Sequence, residues 1–335
     1  MSAPIVFITG STGFIGAQVT LAALCAGYNV RLSVRRSTQT EGLRQAFHEF
    51  DDKLDFVVIP DYTIAGAFDS ALKDVHHIIH LASPLPKPGE DLLTPAVKGT
   101  TSVLESAHRT PSVKTVVITA SVASLIPLGK GADGLVVTES IDKEELSFDH
   151  SIVPSLEPFG QYHASKLASY TATLDFVASK SPRFSTVTLH PVFVFGPSLL
   201  QYSPEELSGT NAMLFGSLYS EEPMFAPFRG VHVLDVAEAH IKALHLPQRA
   251  ISSYLLSAKD RSWEEVLDFV KEEFPTAGFK AKAKSGDRWN VDTTRAQNEL
   301  GLQSWREMEV QVKDVVDQQL KLRASEASRA NKPPA

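Results

Sequence analysis

A chain of 335 residues is long enough to bury a large core, as one big domain or two smaller ones. With 43% apolar and 21% charged residues it has the composition of a soluble globular protein, and no apolar run approaches the roughly 20 residues of a membrane span. A net charge of −7 argues against a nucleic-acid-binding face, and the single cysteine, Cys25, excludes an internal disulfide and fits a reducing compartment.

The first element is an apolar, mostly β-branched and aromatic run, Ile5–Ile8, which suits a buried strand. Glycines follow at positions 10, 13 and 16, and then an Ala/Leu-rich helical pattern over Ala17–Ala26. A strand that turns sharply into a helix leaves unpaired N–H groups at the helix start, and glycines let a phosphate reach them without a Cβ in the way. A second strand pattern, Asn29–Val34, comes next, so the expected ligand is a dinucleotide pyrophosphate held by Thr9, Gly10, Thr12, Gly13, Phe14, Ile15 and Gly16. The spacing is Gly-x-x-Gly-x-x-Gly, which differs from the Gly-x-Gly-x-x-Gly of many dehydrogenases. Cys25 lies in the helical pattern and is expected to pack inward. A strand this close to the N-terminus leaves no room for a signal or transit peptide, and a cytoplasmic location is expected.

Further strand patterns fall at Leu54–Ile59, His77–Leu81, Thr115–Thr119 and Ser185–Leu189. Helical patterns alternate with them at Glu41–Phe50, Ala65–Lys73, Pro95–His108 and Gln161–Ser179. The alternation predicts an α/β fold, a doubly wound, mostly parallel sheet of the Rossmann type. Ligands of such sheets lie beyond the carboxyl ends of the strands. Asp61, Tyr62, Leu81, Ala82, Ser83, Thr119, Pro191, Val192 and Val194 are therefore further candidate cofactor contacts. His76, His77 and His80 have a spacing that suits strand ends, and no metal is expected.

After Leu189 the regularity breaks. Gly196–Gly230 reads as loops with a short helix, Val231–Leu246 as a strand and helix returning to the sheet, and Trp263–Phe274 and Val310–Arg323 as amphipathic helices. Residues 1–190, joined by 231–246, are expected to form the nucleotide-binding domain. Residues 191–230 and 250–323 are expected to form a smaller, partly discontinuous substrate-binding part, and 324–335 a disordered tail.

Tyr162 and Lys166 stand four apart at the start of a strongly helical segment, on one face and one turn apart. A phenol is a poor proton donor at neutral pH, and a neighbouring ammonium favours its ionised form. Ser121 follows the strand Thr115–Thr119, where a hydroxyl can hold a carbonyl oxygen and share it with the tyrosine. Ser124 and Ser83 compete for that role.

These residues bring a family into view. The chain resembles the extended short-chain dehydrogenase/reductases, and within them the dihydroflavonol-reductase-like group of plant reductases and fungal or yeast aldehyde and ketone reductases. The resemblance is carried by TGSTGFIG (Thr9–Gly16), SVRR (Ser33–Arg36), HLASP (His80–Pro84), VKGTTSVLESA (Val97–Ala107), VVITAS (Val116–Ser121) and YHASK (Tyr162–Lys166). It continues through HPVFVFGP (His190–Pro197), VHVLDVAEAH (Val231–His240) and ELGL (Glu299–Leu302), so it covers almost the whole chain in order. It implies a Rossmann fold, an NAD(P) cofactor and a catalytic Ser121, Tyr162 and Lys166. Ala120 stands where relatives often carry a second serine, and His190 where many carry another polar residue.

From Asn29 to Thr40 there is no acidic residue to bind adenosine ribose hydroxyls; Arg35 and Arg36 stand there instead. A guanidinium pairs well with a 2′-phosphate, which makes NADP(H) the expected cofactor, and relatives with Val-Arg at this point resemble NADPH users. Asp61 is a candidate acceptor for the adenine amine.

The substrate is expected past the strands, near Ser83, Pro84, Ser121, Leu125, Phe193, Tyr202 and Phe225, in a region rich in aromatics. Lys87 and Lys130 are candidates to meet an anionic group. The reading reached is NADPH-dependent reduction of a hydrophobic or aromatic aldehyde or ketone, by a monomer or homodimer that binds a small carbonyl compound. Two alternatives stay open: an epimerase, dehydratase or alcohol dehydrogenase using the same group, and a non-catalytic NADP-sensing regulator, which would be expected to have lost the Tyr/Lys pair that this chain keeps.

Overall fold

The chain alternates strands and helices from its first residues onward. It runs through β1 (Ile5–Thr9), α1 (Phe14–Cys25), β2 (Asn29–Val34), α2 (Gln39–Ala46), β3 (Leu54–Val58), β4 (His77–His80), α3 (Leu93–Arg109) and β5 (Thr115–Thr119). A short β6 (Val136–Val137) precedes the long α4 (Pro158–Lys180), and β7 (Ser185–Pro191) follows it. The remainder holds β8 (Phe193–Phe195), α5 (Gly209–Tyr219), β9 (Gly230–His232), α6 (Val233–Ala243), β10 (Ile251–Leu256), α7 (Trp263–Glu273), β11 (Asn290–Val291), α8 (Thr294–Glu299) and α9 (Met308–Ala330). This computed structural model describes residues 3–84, 90–130, 134–222, 227–286 and 289–330.

Seven strands pair in the order β10-β7-β5-β4-β1-β2-β3, all parallel. The chain winds outward in both directions from β1, so β1 and β4 flank the switch point, and Thr9 lies opposite His80 at their carboxyl ends. Side chains of a strand alternate between faces, and both faces here are buried. Val6, Ile8, Ile79, Val117 and Val187 pack with Val19 of α1 and Val236 of α6. Phe7, Ile78, Val116 and Ile118 pack on the opposite face with Val103 and Leu104 of α3 and Phe176 of α4. A further core joins Leu214 and Phe215 of α5, Trp263 and Val266 of α7, and Val312 and Val316 of α9.

Several expectations need correction. Ile251–Leu256, assigned to the substrate-binding part, is the edge strand of the main sheet, beside β7. The strand expected at Val231 pairs with β8 in a separate two-stranded sheet, and only α6 returns, packing on α1. Ala65–Lys73 is a run of turns, with Gly66 at φ +77°, a left-handed conformation that ends any regular helix. The tail expected from 324 is helical as far as 330, where α9 continues with Ser325 Oγ and Ser328 Oγ bonded to carbonyls one turn back; 331–335 lie outside the described residues. Cys25 sits at the last turn of α1 and is exposed, not packed inward.

Candidate active site

The glycine loop has the shape a pyrophosphate needs. Gly10 has φ +76°, and a Cβ there would stand 2.8 Å from the Ala82 nitrogen. A Cβ on Gly16 would lie 2.0 Å from the Gly10 carbonyl oxygen, so only glycine lets α1 start this close to β1. Gly13 is the N-cap of α1 and offers no side-chain cap, and no acidic residue occupies the first turn. The N–H groups of Phe14, Ile15 and Gly16 precede the first intrahelical bond, so they face outward at the positive end of the helix dipole. Ser11, absent from the sequence-based candidates, places a buried Oγ here with no partner among the described residues. These residues fit a dinucleotide. Thr9, one of the expected contacts, instead spends its hydroxyl on His80 Nδ1 at 2.8 Å and on the Ala82 N–H at 3.1 Å.

Past β2 and β3 the expected adenosine contacts converge. The Arg35 guanidinium carbon lies 6.0 Å from the centre of the Tyr62 ring, whose hydroxyl meets Ser33 Oγ at 2.7 Å. Burial raises the Tyr62 phenol above its ordinary value. Asp61 accepts from Thr63 N and Oγ1, and these bonds, with weaker help from Arg35 and Lys98, hold its carboxyl below the usual range. Gln39 accepts from both the Arg35 and the Arg36 amides at 3.1 and 3.0 Å, which shapes the basic turn. Gln39 escaped notice in the sequence because its role depends on its position at the start of α2.

The chemical group lies at the opposite side of the switch point. Pro158 opens α4, a position that tolerates proline, and puts Tyr162 in the second turn, half-buried. Lys166, 8% exposed, sits one turn on, with Nζ 5.4 Å from the centre of the Tyr162 ring and 2.9 Å from Ser83 Oγ, to which it donates. The loop after β5 is held to this helix by His163, whose Nε2 meets the Ile126 carbonyl at 2.7 Å. Burial lowers the His163 pKa, so the neutral ring donates that bond.

Ser121 and Ser124 separate clearly in this loop. Ser124 is fully buried; it donates to the Ser121 carbonyl at 2.6 Å and lies 2.9 Å from His190 Nδ1. Ser121 caps the short helix that follows and its Oγ accepts from the Ala123 N–H at 3.2 Å, which leaves its hydroxyl proton free to donate. The Thr119 hydroxyl is engaged by His240. His240 Nδ1 bonds the Val236 carbonyl and so carries the proton, leaving Nε2 to accept from Thr119 Oγ1 at 2.7 Å.

The remaining candidates are scattered. Leu81, Ala82, Ser83 and Pro84 follow β4 and are half-buried, while Pro191 and Val192 close β7 against β10. Val194 lies in β8 with its carbonyl bonded by Thr210 Oγ1. Leu125, expected to face substrate, is 2% exposed in a core with Leu167 and Leu255. Phe193 stacks on Phe195 beside the third core, and Phe195, Phe215 and Phe228 belong to that core. Tyr202 is exposed in the loop before α5, its amide bonded to Glu206. Phe225, like Lys87, lies outside the described residues, and Lys130 faces Glu145 at 3.7 Å. Phe159, unremarked in the sequence, is 62% exposed with its ring 6.2 Å from that of Tyr162.

Comparison with known proteins identifies the family. The model of the NAD dependent epimerase/dehydratase family matches residues 6–256. Ketoreductase sphI of Aspergillus fumigatus is 38% identical over 331 residues, which cover 96% of this chain and 98% of that protein. NAD-dependent epimerase/dehydratase ALT6 of Alternaria alternata is 34% identical over 333 residues, covering 89% of this chain and 92% of that one. The structure of yeast methylglyoxal/isovaleraldehyde reductase Gre2, complexed with NADPH, superposes with a TM-score of 0.79 at 26% identity over 96% of this chain and 99% of that one. No helix among the described residues is long and apolar enough to cross a membrane. The chain belongs to the NAD dependent epimerase/dehydratase family, the extended short-chain dehydrogenases/reductases.

Proposed function

We propose that this protein is an NADPH-dependent carbonyl reductase that converts a hydrophobic or aromatic aldehyde or ketone into an alcohol, with Ser121, Tyr162 and Lys166 as its catalytic group. The observation that carries the reading is the position of Lys166 one turn from Tyr162, its Nζ 5.4 Å from the phenol ring, on a helix tied to the Ser121 loop. When bound, NADPH supplies a hydride to the carbonyl carbon. The Ser121 hydroxyl donates to the carbonyl oxygen as charge grows there, and Tyr162 gives that oxygen its phenolic proton. The Lys166 ammonium stabilises the phenolate left behind. Arg35, beside Tyr62 and with no acidic residue in the turn, is the partner of the 2′-phosphate.

A ketone is favoured over an aldehyde by the relative at 38% identity, a ketoreductase. The exposed Phe159 ring beside Tyr162 supports an apolar substrate, which would stack there as it approaches the phenol. A panel of aryl aldehydes, aryl ketones and β-keto esters, followed by loss of NADPH absorbance, tests the reading. Turnover of at least one carbonyl, abolished in Tyr162→Phe, is the expected result. NADPH binding without turnover on every compound would refute it and favour a dinucleotide sensor.

A further inference from the structure

His80 closes β4 and is 2% exposed. Its Nδ1 meets Thr9 Oγ1 at 2.8 Å, but its Nε2 is buried with no hydrogen-bond partner among the described residues. A polar atom left unpaired in the interior is costly, and such atoms in folded proteins have a partner or a water. Next to it lies a cavity of about 20 Å³ bordered by His80, Lys166, Thr119, Ser169, Thr173 and Thr188. That is room for one water, and the lining supplies the two to four polar groups a buried water requires.

We propose that His80 is a positioning residue for Lys166, acting through a single water held in this cavity between His80 Nε2 and Lys166 Nζ. The proposal rests on the catalytic reading above for its effect on turnover. An ammonium has three N–H donors and no acceptor, and Ser83 takes one of them. A water facing Lys166 therefore accepts from it and turns its own hydrogens elsewhere. Nε2 receives one of these when the imidazole proton sits on Nδ1 and is donated to Thr9 Oγ1. That oxygen has two lone pairs, enough for both His80 Nδ1–H and the Ala82 N–H. Burial, and to a lesser degree the charge of Lys166, lower the His80 pKa to about 4, so the ring stays neutral. Lys166 is the one charged group among the described residues that bears on it. The resulting chain of contacts runs from Lys166 through water and His80 to Thr9, the residue before Gly10, and ties the position of the lysine to the glycine loop.

Two measurements test this. A high-resolution crystal structure of the wild-type protein is expected to show one ordered water within hydrogen-bond distance of both His80 Nε2 and Lys166 Nζ; an empty cavity overturns the proposal, whatever the substrate proves to be. His80→Asn keeps a polar atom near the Nδ1 position and gives up the Nε2 one, whereas His80→Gln does the reverse. We expect His80→Asn to lower kcat by about 10-fold or more and to move the pH profile of kcat, and His80→Gln to restore the wild-type profile with kcat within about 3-fold. Identical pH profiles for the wild type and His80→Asn overturn the proposal, because a purely structural role changes the yield of folded protein and leaves the profile in place. If His80→Asn does not fold, the crystallographic water decides. A wild-type protein with no carbonyl turnover refutes the catalytic reading and leaves the water test intact.

Discussion

Lys166 Nζ donates a 2.9 Å hydrogen bond to Ser83 Oγ, joining the buried face of α4 to the loop that leaves β4. This bond is a second hold on the cation, whose Nζ also lies 5.4 Å from the centre of the Tyr162 ring. Hydrogen bonds to charged groups contribute about 1.5–3 kcal/mol. Ser83→Ala is expected to cut kcat by about 10-fold to 100-fold with a small change in Tm, because the lysine then samples positions away from the phenol. Unchanged kcat in that variant would show that Lys166 is held by other contacts.

Tyr162→Phe removes the phenolic proton of the ring that lies 5.4 Å from Lys166 Nζ while keeping the ring itself. A positioned general acid contributes about 10²-fold to 10⁴-fold, and kcat is expected to fall by that factor. The Kd for NADPH, read by fluorescence quenching, is expected to stay within about twofold, since the proposed mechanism uses the phenol proton only in the chemical step. Loss of cofactor binding in step with activity would assign Tyr162 a binding role in place of a chemical one.

Arg35→Ala tests the adenosine end. Without its guanidinium beside Tyr62, the ratio of kcat/KM for NADPH over NADH is expected to drop by about 10-fold to 100-fold. Activity with NADH should hardly change. An unaltered ratio would move the 2′-phosphate partner elsewhere, with Arg36 as the first residue to try.

The glycine loop predicts a ranking. Gly16→Ala puts a Cβ 2.0 Å from the Gly10 carbonyl oxygen, a backbone atom that cannot step aside, whereas Gly13→Ala meets the same oxygen at 3.3 Å. Overpacking of this kind costs about 1–3 kcal/mol or more. Gly16→Ala is expected to lose cofactor binding and a large part of its Tm, and Gly13→Ala much less of both. Equal Tm values for the two variants would show that the loop moves as a unit to make room.

Acid should unfold the protein earlier than its carboxylates alone require. His80, His190 and His240 are each lowered from the ordinary 6.5 to about 4, in each case mainly by burial. Between those values the unfolded chain binds protons that the folded one refuses. Their contribution to stability is therefore complete above about 6.5 and is lost as the pH falls toward about 4. Thermal melts are expected to show Tm declining steadily across that window. A Tm that stays flat down to pH about 5 would mean that these rings are protonated inside the fold.

The first half of the sheet and the turns that leave it could be located in the sequence because their signals are local. The glycines, the arginine turn and the pair Tyr162/Lys166 each lie within a few residues of one another, and the first five sheet strands are apolar runs in plain order. β10 escaped because Ser252, Ser253 and Tyr254 look like loop residues. Their hydroxyls are paired with groups far away in the chain: Ser253 Oγ with Tyr170 at 3.0 Å and with Thr188 at 2.9 Å, Tyr254 with Glu299 at 2.8 Å. A polar side chain whose partner is supplied by another strand or helix leaves no periodic trace. The same holds for Leu125, a core residue that its place after β5 made look like a site residue. The network of Ser124, His190 and Thr188, which separates the two serines, exists only once β5 and β7 are side by side.

The late arrival of β10 matters for how the protein is made. β7 is complete at Pro191, yet the strand that covers its free edge begins only at Ile251, after α5 and α6 have been synthesised. Throughout that interval the nascent chain displays an uncovered row of N–H and C=O groups, a template for pairing with any other extended segment. Slowing translation past residue 191 would lengthen that exposure, and holding the chain on a chaperone until Leu256 has emerged would end it. Recovery of active protein from a foreign host is therefore expected to fall when translation is slowed between residues 191 and 251.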